Sequence, residues 1–309
     1  MEGVKKTHLG FAPSKVLNWK ENIVVLGVDG EIAILDSNLE FIQPKVTPFP
    51  CKITHACIVD DQLIATWLDY DILIGRMASI PLNQQLADGP VKSEVRKSTT
   101  ITATDLHPRG NSWSHPLNAD VLGMARIDDS IVFALWKRGL YKLRADAVEE
   151  WRAALPTWPS LAKIPQGDQL VSMHETHDAL LVVSKGGGFA KISKDDGSVL
   201  QVNTLIENVS ISQHYYHLGQ HLSITSNNEV LWTDELGKLV NSHQLSGPVQ
   251  NAQWNNEIKG WDIAGWREVL ELTSKHVKSL RMQDICTFVW RNDVEDYVIV
   301  NDGSISTIE

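Results

Sequence analysis

The chain has 309 residues, 43% of them hydrophobic, and a net charge of −10. That charge argues against a general nucleic-acid binder, which needs a basic face, and no run reaches the roughly 18 apolar residues of a membrane helix. Three cysteines (Cys51, Cys57 and Cys286) with no CxxC pair read as free thiols in a reducing compartment. The opening "MEGVKKTHLGFAPSKVLNWK" has no apolar leader core, so a cytoplasmic location is expected.

In chain order, residues 3–12 precede the first hairpin with nothing local to pair with. That hairpin is "IVVLGVDGEIAIL" (23–35). Its Asp-Gly pair suits a tight turn whose central residues both need φ > 0. Six further hairpins come after it: "LIATWLDYDILIG", "IVFALWKRGLYKL", "LLVVSKGGGFAKI", "LSITSNNEVLWT", "WDIAGWREVLEL" and "YVIVNDGSISTI". Anchored on the first apolar residue after each turn (Ile32, Ile72, Leu140, Phe189, Val230, Val269 and Ile305), the spacings are 40, 68, 49, 41, 39 and 36. A period near 40 built from short strands is the signature of propeller blades, units too small to bury their own faces.

Each unit fills out to four strands, as in "QLVSMH", "ALLVVSK", "GFAKISK" and "SVLQVNTL". The segment "ADAVEEWRAAL" (145–155) has some helical character, but its place in the third unit makes it a fourth strand plus linker. The expected fold is all-β: one seven-bladed β-propeller domain over 1–309. Its blades fall near 13–45, 51–97, 119–155, 168–205, 207–246, 248–282 and 284–309. The last unit stops at its third strand. Residues 3–12 are therefore expected to supply the fourth and close the ring, which removes exposed sheet edges.

The segments "AKISKDDGSVLQ" (190–201), "VLWTDELGKLVN" (230–241) and "EIAILDSNLEFI" (31–42) resemble PQQ-like or WD40-like propeller repeats. Regular Gly-His and Trp-Asp pairs are absent. Quinone-using relatives of this type carry more blades, and many have a vicinal disulfide, whereas no two cysteines here are adjacent. The resemblance implies the fold and leaves activity open.

Candidate chemistry falls in three places. His174 and His177 in "MHETHD" are expected in the turn between the first and second strands of the fourth unit, and His214 and His217, with His221 beside them, in the matching turn of the fifth, "QHYYHLGQH". Neutral imidazole is a common metal ligand, yet no carboxylate or cysteine completes a zinc set, so no metal is expected and these four remain the candidates if one binds. Trp19, Trp254 and Trp290 share one column in blades one, six and seven, either plugging the space between blades or forming an exposed patch.

The third place is the long connection at 82–120, of which about 98–118 is left over as loop. It offers His107, Arg109, Trp113 and His115. The neighbouring hairpin turns add Trp67, Tyr70, Trp136 and Arg138, and the next connection adds Trp151 and Trp158. Trp, Tyr and Arg are the residue types of binding hot spots, although aromatics also cap blade ends.

Catalytic patterns are weak. No nucleophile elbow surrounds Ser112 or Ser114. "KGGGF" leads into a strand and not a phosphate-binding helix. The function expected is a non-enzymatic scaffold, monomeric and without cofactor. It would bind a protein or peptide, not nucleic acid or membrane, on the loop-rich face of blades two to four. The alternative is a propeller hydrolase or lyase with a polar or metal site at the axial mouth.

Overall fold

Apolar runs of four to eight residues, cut by turns that tolerate positive φ, can only form short antiparallel strands. The fold is taken from a computed structural model, which describes residues 5–97, 106–204, 206, 209–291 and 295–308. Among the described residues, 27 strands form seven sheets.

Strand β1 (Lys5–His8) comes first. Blade 1 holds β2 (Pro13–Trp19), β3 (Asn22–Gly27) and β4 (Ile32–Leu35). Blade 2 holds β5 (Lys52–Val59), β6 (Gln62–Asp69), β7 (Ile74–Pro81) and β8 (Trp113–Pro116), with helix α1 (Lys92–Lys97) between β7 and β8. Blade 3 holds β9 (Val121–Ile127), β10 (Ser130–Leu135), β11 (Gly139–Arg144) and β12 (Glu149–Ala153). Blade 4 holds β13 (Leu170–Glu175), β14 (Leu180–Ser184), β15 (Gly188–Ile192) and β16 (Val199–Thr204). Blade 5 holds β17 (Ile211–His217), β18 (Gln220–Thr225), β19 (Glu229–Thr233) and β20 (Leu239–Gln244). Blade 6 holds β21 (Val249–Asn255), β22 (Gly260–Gly265), β23 (Glu268–Leu272) and β24 (Val277–Arg281). Blade 7 holds β25 (Cys286–Arg291), β26 (Asp296–Val300) and β27 (Ser304–Thr307).

The first strands of the blades touch in the cyclic order β2, β5, β9, β13, β17, β21, β25 and back to β2. The result is a closed seven-bladed β-propeller. β1 pairs antiparallel with β27 as the outer strand of blade 7, within the 3–12 segment expected to close the ring. The 145–155 segment is a strand at its centre, β12, as expected.

Two expectations about blades 1 and 2 need correction. Blade 1 has three strands, and its fourth position is marked only by single bridges, Leu35 to Phe41 and Ile32 to Val46. Pro44 lies between those bridges, cannot donate to a ladder, and so breaks the strand. In blade 2 the fourth strand is β8, so the long excursion precedes it and lies inside the blade. Arg76 Nε donates to Leu106 O at 2.7 Å, the Gly89 amide to Thr47 O at 3.0 Å and the Arg109 amide to Pro48 O at 2.9 Å. The excursion therefore packs against blade 1, and Val95 of α1 is buried in the core between blades 1 and 2. The 98–118 segment expected as loop is not a single connector, because 113–116 is strand. Residues 98–105 lie outside the described residues.

One apolar cluster fills each interface between blades, and the clusters differ in size. The interface of blades 1 and 2 gathers Trp67, Phe49, Leu26, Ile34 and many more. Between blades 4 and 5 the fully buried set is only Leu181, Val183 and Ile211.

Candidate functional site

In a four-stranded blade, the turns joining second to third strands share one face with the connections between blades. The turns joining first to second and third to fourth strands share the other. On the first face, the turns of blades 2 and 3 carry Tyr70, 64% exposed, Leu73, 85% exposed, and Trp136, 53% exposed. The Trp136 amide donates to Asp120 O at 2.9 Å. Partial burial, and then the Asp120 carboxylate, raise the Tyr70 hydroxyl above its ordinary range. Asp120 thus sits near both aromatics. Lys137 Nζ lies 4.3 Å from the Trp136 ring centre, and Arg138 is exposed in the same turn. Leu73 adopts φ 53°, an unusual cost for a non-glycine residue held in solvent.

The remaining expected binding residues are placed elsewhere. Trp67 is in β6, wholly buried in the core, and cannot contact a partner. Side chains alternate along β6, so Trp67 faces the neighbouring blade while the turn three residues on projects outward. Trp113 is half-buried at the outer edge, where its indole donates to Ala145 O at 2.7 Å and ties blade 2 to blade 3. His115 packs 5.4 Å from the Trp113 ring. His107 Nδ1 lies 2.9 Å from Ser114 Oγ. Arg109 is exposed beside blade 1. These four belong to the excursion and its returning strand. Trp151 and Trp158 are buried, donating to Lys194 O at 2.9 Å and Phe189 O at 3.0 Å.

Trp158 also accounts for the "KGGGF" turn. A Cβ on Gly188 would meet the Trp158 indole at 2.6 Å, and Gly187 has φ 83°. The glycines make room for the connection from blade 3.

The histidines form a row, and it stands on strands and not in the expected turns: His174 is in β13, His214 in β17 and His221 in β18. His214 Nδ1 lies 3.1 Å from His174 Nε2, and His214 Nε2 lies 3.2 Å from His221 Nδ1. Ser172 Oγ is 3.3 Å from His214 Nδ1. Burial lowers His174 and His221 to about 4 and His214 well below its ordinary value. Three neutral rings in series, each with one donor and one acceptor nitrogen, can all point their N–H groups one way or all the other. His177 is exposed and outside the row, and His217 stacks on Trp254 at 5.1 Å. Among the described residues, no group of three or more His, Cys, Asp or Glu is placed to hold a metal ion.

Of the aromatic column, Trp19 is buried with its indole donating to Asp61 Oδ1 at 3.0 Å. Trp254 sits edge-on to Trp232 and Trp261, at 5.7 and 5.4 Å. Trp290 packs on the core between blades 7 and 1. The column is interblade packing.

One feature that sequence reasoning misses is a cleft of about 1190 Å³ between blades 4 and 5. It opens on the opposite face from Tyr70 and Trp136, and His221 lines it. Its residues come from six strands and three turns, so no local pattern announces it.

No family model and no characterised protein matches the chain by sequence. By structure, it is similar to the β-propeller domain of Cps50 (Swd1) from Myceliophteria thermophila, with a TM-score of 0.68 and 13% identity over 99% of both chains. It is similar to the WD40 β-propeller domain of Doa1, with a TM-score of 0.65 and 12% identity over 99% of this chain and 95% of that one. A third is BBS1N, solved in complex with ARL6DN, with a TM-score of 0.64 and 11% identity over 99% of this chain and 95% of that one. At these identities the likeness establishes the fold alone.

Proposed function

We propose that this protein is a non-enzymatic scaffold that binds a protein or peptide on the turn face of blades 2 and 3. The observation that carries this reading is the exposed pair of Tyr70 and Trp136 beside Asp120, with Leu73 and Arg138 exposed in the same two turns. Trp67, Trp113, Trp151 and Trp158 each have a packing or hydrogen-bonding role within the fold; the Trp136 indole is exposed and carries only Lys137. Exposed Trp, Tyr and Arg are the residue types that dominate interface energies. BBS1N, with the same fold, was solved with a partner chain. We read the scaffold as a cytoplasmic monomer without cofactor.

A photoreactive amino acid at position 136 tests this, with Glu257 on the opposite face as the control position. Cross-linking in cells should give a discrete adduct from position 136 only. With that partner purified, Trp136→Ala should weaken binding by roughly 30-fold, the ~2 kcal/mol of a hot spot, at an unchanged melting temperature. Equal affinity of wild type and Trp136→Ala would remove this face from consideration.

A further inference from the structure

The cleft between blades 4 and 5 is where apolar sealing between blades gives way to polar side chains. One wall presents Lys191, Gln201 and Asn203 from β15 and β16, and the other presents Tyr216 and His221. Two leucines stand at its rim in turns of blade 5, Leu218 at 80% and Leu236 at 92% exposed. Large apolar side chains left this bare beside a cleft mark a docking surface more than a stabilised fold.

The charges around the cleft are unbalanced. Glu175, Asp178 and Glu235 face a single lining cation, Lys191. Glu175 is matched from outside by Lys194 at 2.9 Å, and Asp178 has Lys191 at 3.7 Å. Glu235 has no cation within ion-pair distance among the described residues. The imidazole row adds no opposing charge, because burial keeps it neutral. His221 is 5% exposed and its Nδ1 is engaged by His214, which leaves Nε2 as the atom open to a ligand. The two directions of the row let that nitrogen donate or accept. A volume of about 1190 Å³ exceeds the roughly 300–1,000 Å³ of small-molecule sites, so it suits a segment of chain better than a lone amino acid.

We propose that this cleft binds an extended peptide segment that places a basic side chain against Glu235 and Asp178 and flanking apolar residues on Leu218 and Leu236. The site lies on the face opposite Tyr70 and Trp136 and does not rest on the reading of that face. If both hold, the propeller joins two partners.

The test is fluorescence anisotropy on the intact protein with a labelled Leu-Ser-Arg-Ser-Leu peptide, capped at both ends. The arginine peptide should bind saturably. Its citrulline counterpart, equal in shape but uncharged, should bind at least tenfold more weakly. The double variant Asp178→Asn, Glu235→Gln should lose at least tenfold. Leu218→Ser with Leu236→Ser should lose several-fold. All four side chains are exposed, so melting temperatures should not move, and Glu21→Gln on blade 1 should leave binding unchanged. The proposal fails if citrulline or glutamate peptides bind as well as arginine, if the double variant binds normally, or if no peptide saturates. It also fails if free arginine amide competes as strongly as the peptide, since the ligand would then be a single amino acid.

Discussion

Three buried imidazoles in van der Waals and hydrogen-bonding contact make the protein sensitive to acid. A histidine titrates near 6.5 in an unfolded chain, whereas His174 and His221 here are held near 4. Between those values the unfolded chain binds more protons than the native one, so stability falls as pH falls. Lys191 holds His221 down further and Asp234 opposes it, while Lys15 acts on His174 from blade 1. Tyr216, 5.1 Å from the His221 ring, is the remaining aromatic neighbour. The melting temperature should drop by several degrees between pH 7 and pH 4.5. Replacing His174, His214 and His221 together with Gln should shallow that slope and leave the share of His55, which burial also holds near 4, while an unchanged slope would show that other groups set the acid limit. The matching positions of His174 and His214 were legible in the sequence, because both lie at nearly equal distance from their anchors, but their place in first strands and not in turns was not. His221 was not legible as a member of the row, since it reaches His214 from the second strand of the same blade and depends on pairing register. Trp67 was misplaced for a similar reason: membership of a turn and membership of the strand entering it differ by three residues, and one face of that strand is core.

Each first strand carries an extra, unpaired residue near its start: Ser14, Thr54, Leu122, Val171, Ser212, Gln250 and Thr287. Such a bulge bends and twists the strand, and here it recurs in all seven blades. Ser14 Oγ donates to Leu26 O and Gly27 O, and Ser212 Oγ makes the equivalent pair to Ile224 O and Thr225 O. Ser14, Thr54, Ser212 and Thr287 carry a hydroxyl, but Leu122, Val171 and Gln250 do not, so the repeat is visible in the backbone and only partly in the letters. The misplaced excursion of blade 2 has a comparable cause. β8 reads "WSHP", four residues with no alternation of apolar and polar, and α1 is six residues long. Neither gives a periodic signal. Tertiary packing holds the excursion. Val95 is buried, and Asp88 Oδ1 accepts from the Thr47 amide at 2.7 Å beside the incomplete edge of blade 1. Val95→Asp would place a charge in that core. It should lower the melting temperature by several degrees and strip the Gly89 amide of its protection from hydrogen exchange. Retained protection at Gly89 would mean the excursion is held by its polar contacts alone.

At the scale of the ring, the sequence carried the architecture well, because a 40-residue period with hairpin turns admits few other folds. It could not show how unevenly the interfaces are filled, since each cluster draws on two blades about 40 residues apart. Closure depends on β1 and on the apolar residues just beyond it, because Leu9 and Phe11 are buried in the core between blades 7 and 1. Removing residues up to His8 would bare the edge of β27, an invitation to edge-to-edge association. The shortened chain should melt several degrees lower or precipitate, and equal melting would show that blade 7 stands without its outer strand. The direction of that closing pair has a mechanical consequence. Lys5 opposes Ser306 and His8 opposes Ser304 in an antiparallel ladder, so both chain ends leave from the same end of the pair. Tension applied between those ends loads the hydrogen bonds one after another, as in a zipper, and not all together as in shear. A load carried between anything tethered to the two ends would therefore part the ring at the outer edge of blade 7 first, at low force, while the remaining blades keep their own hairpins.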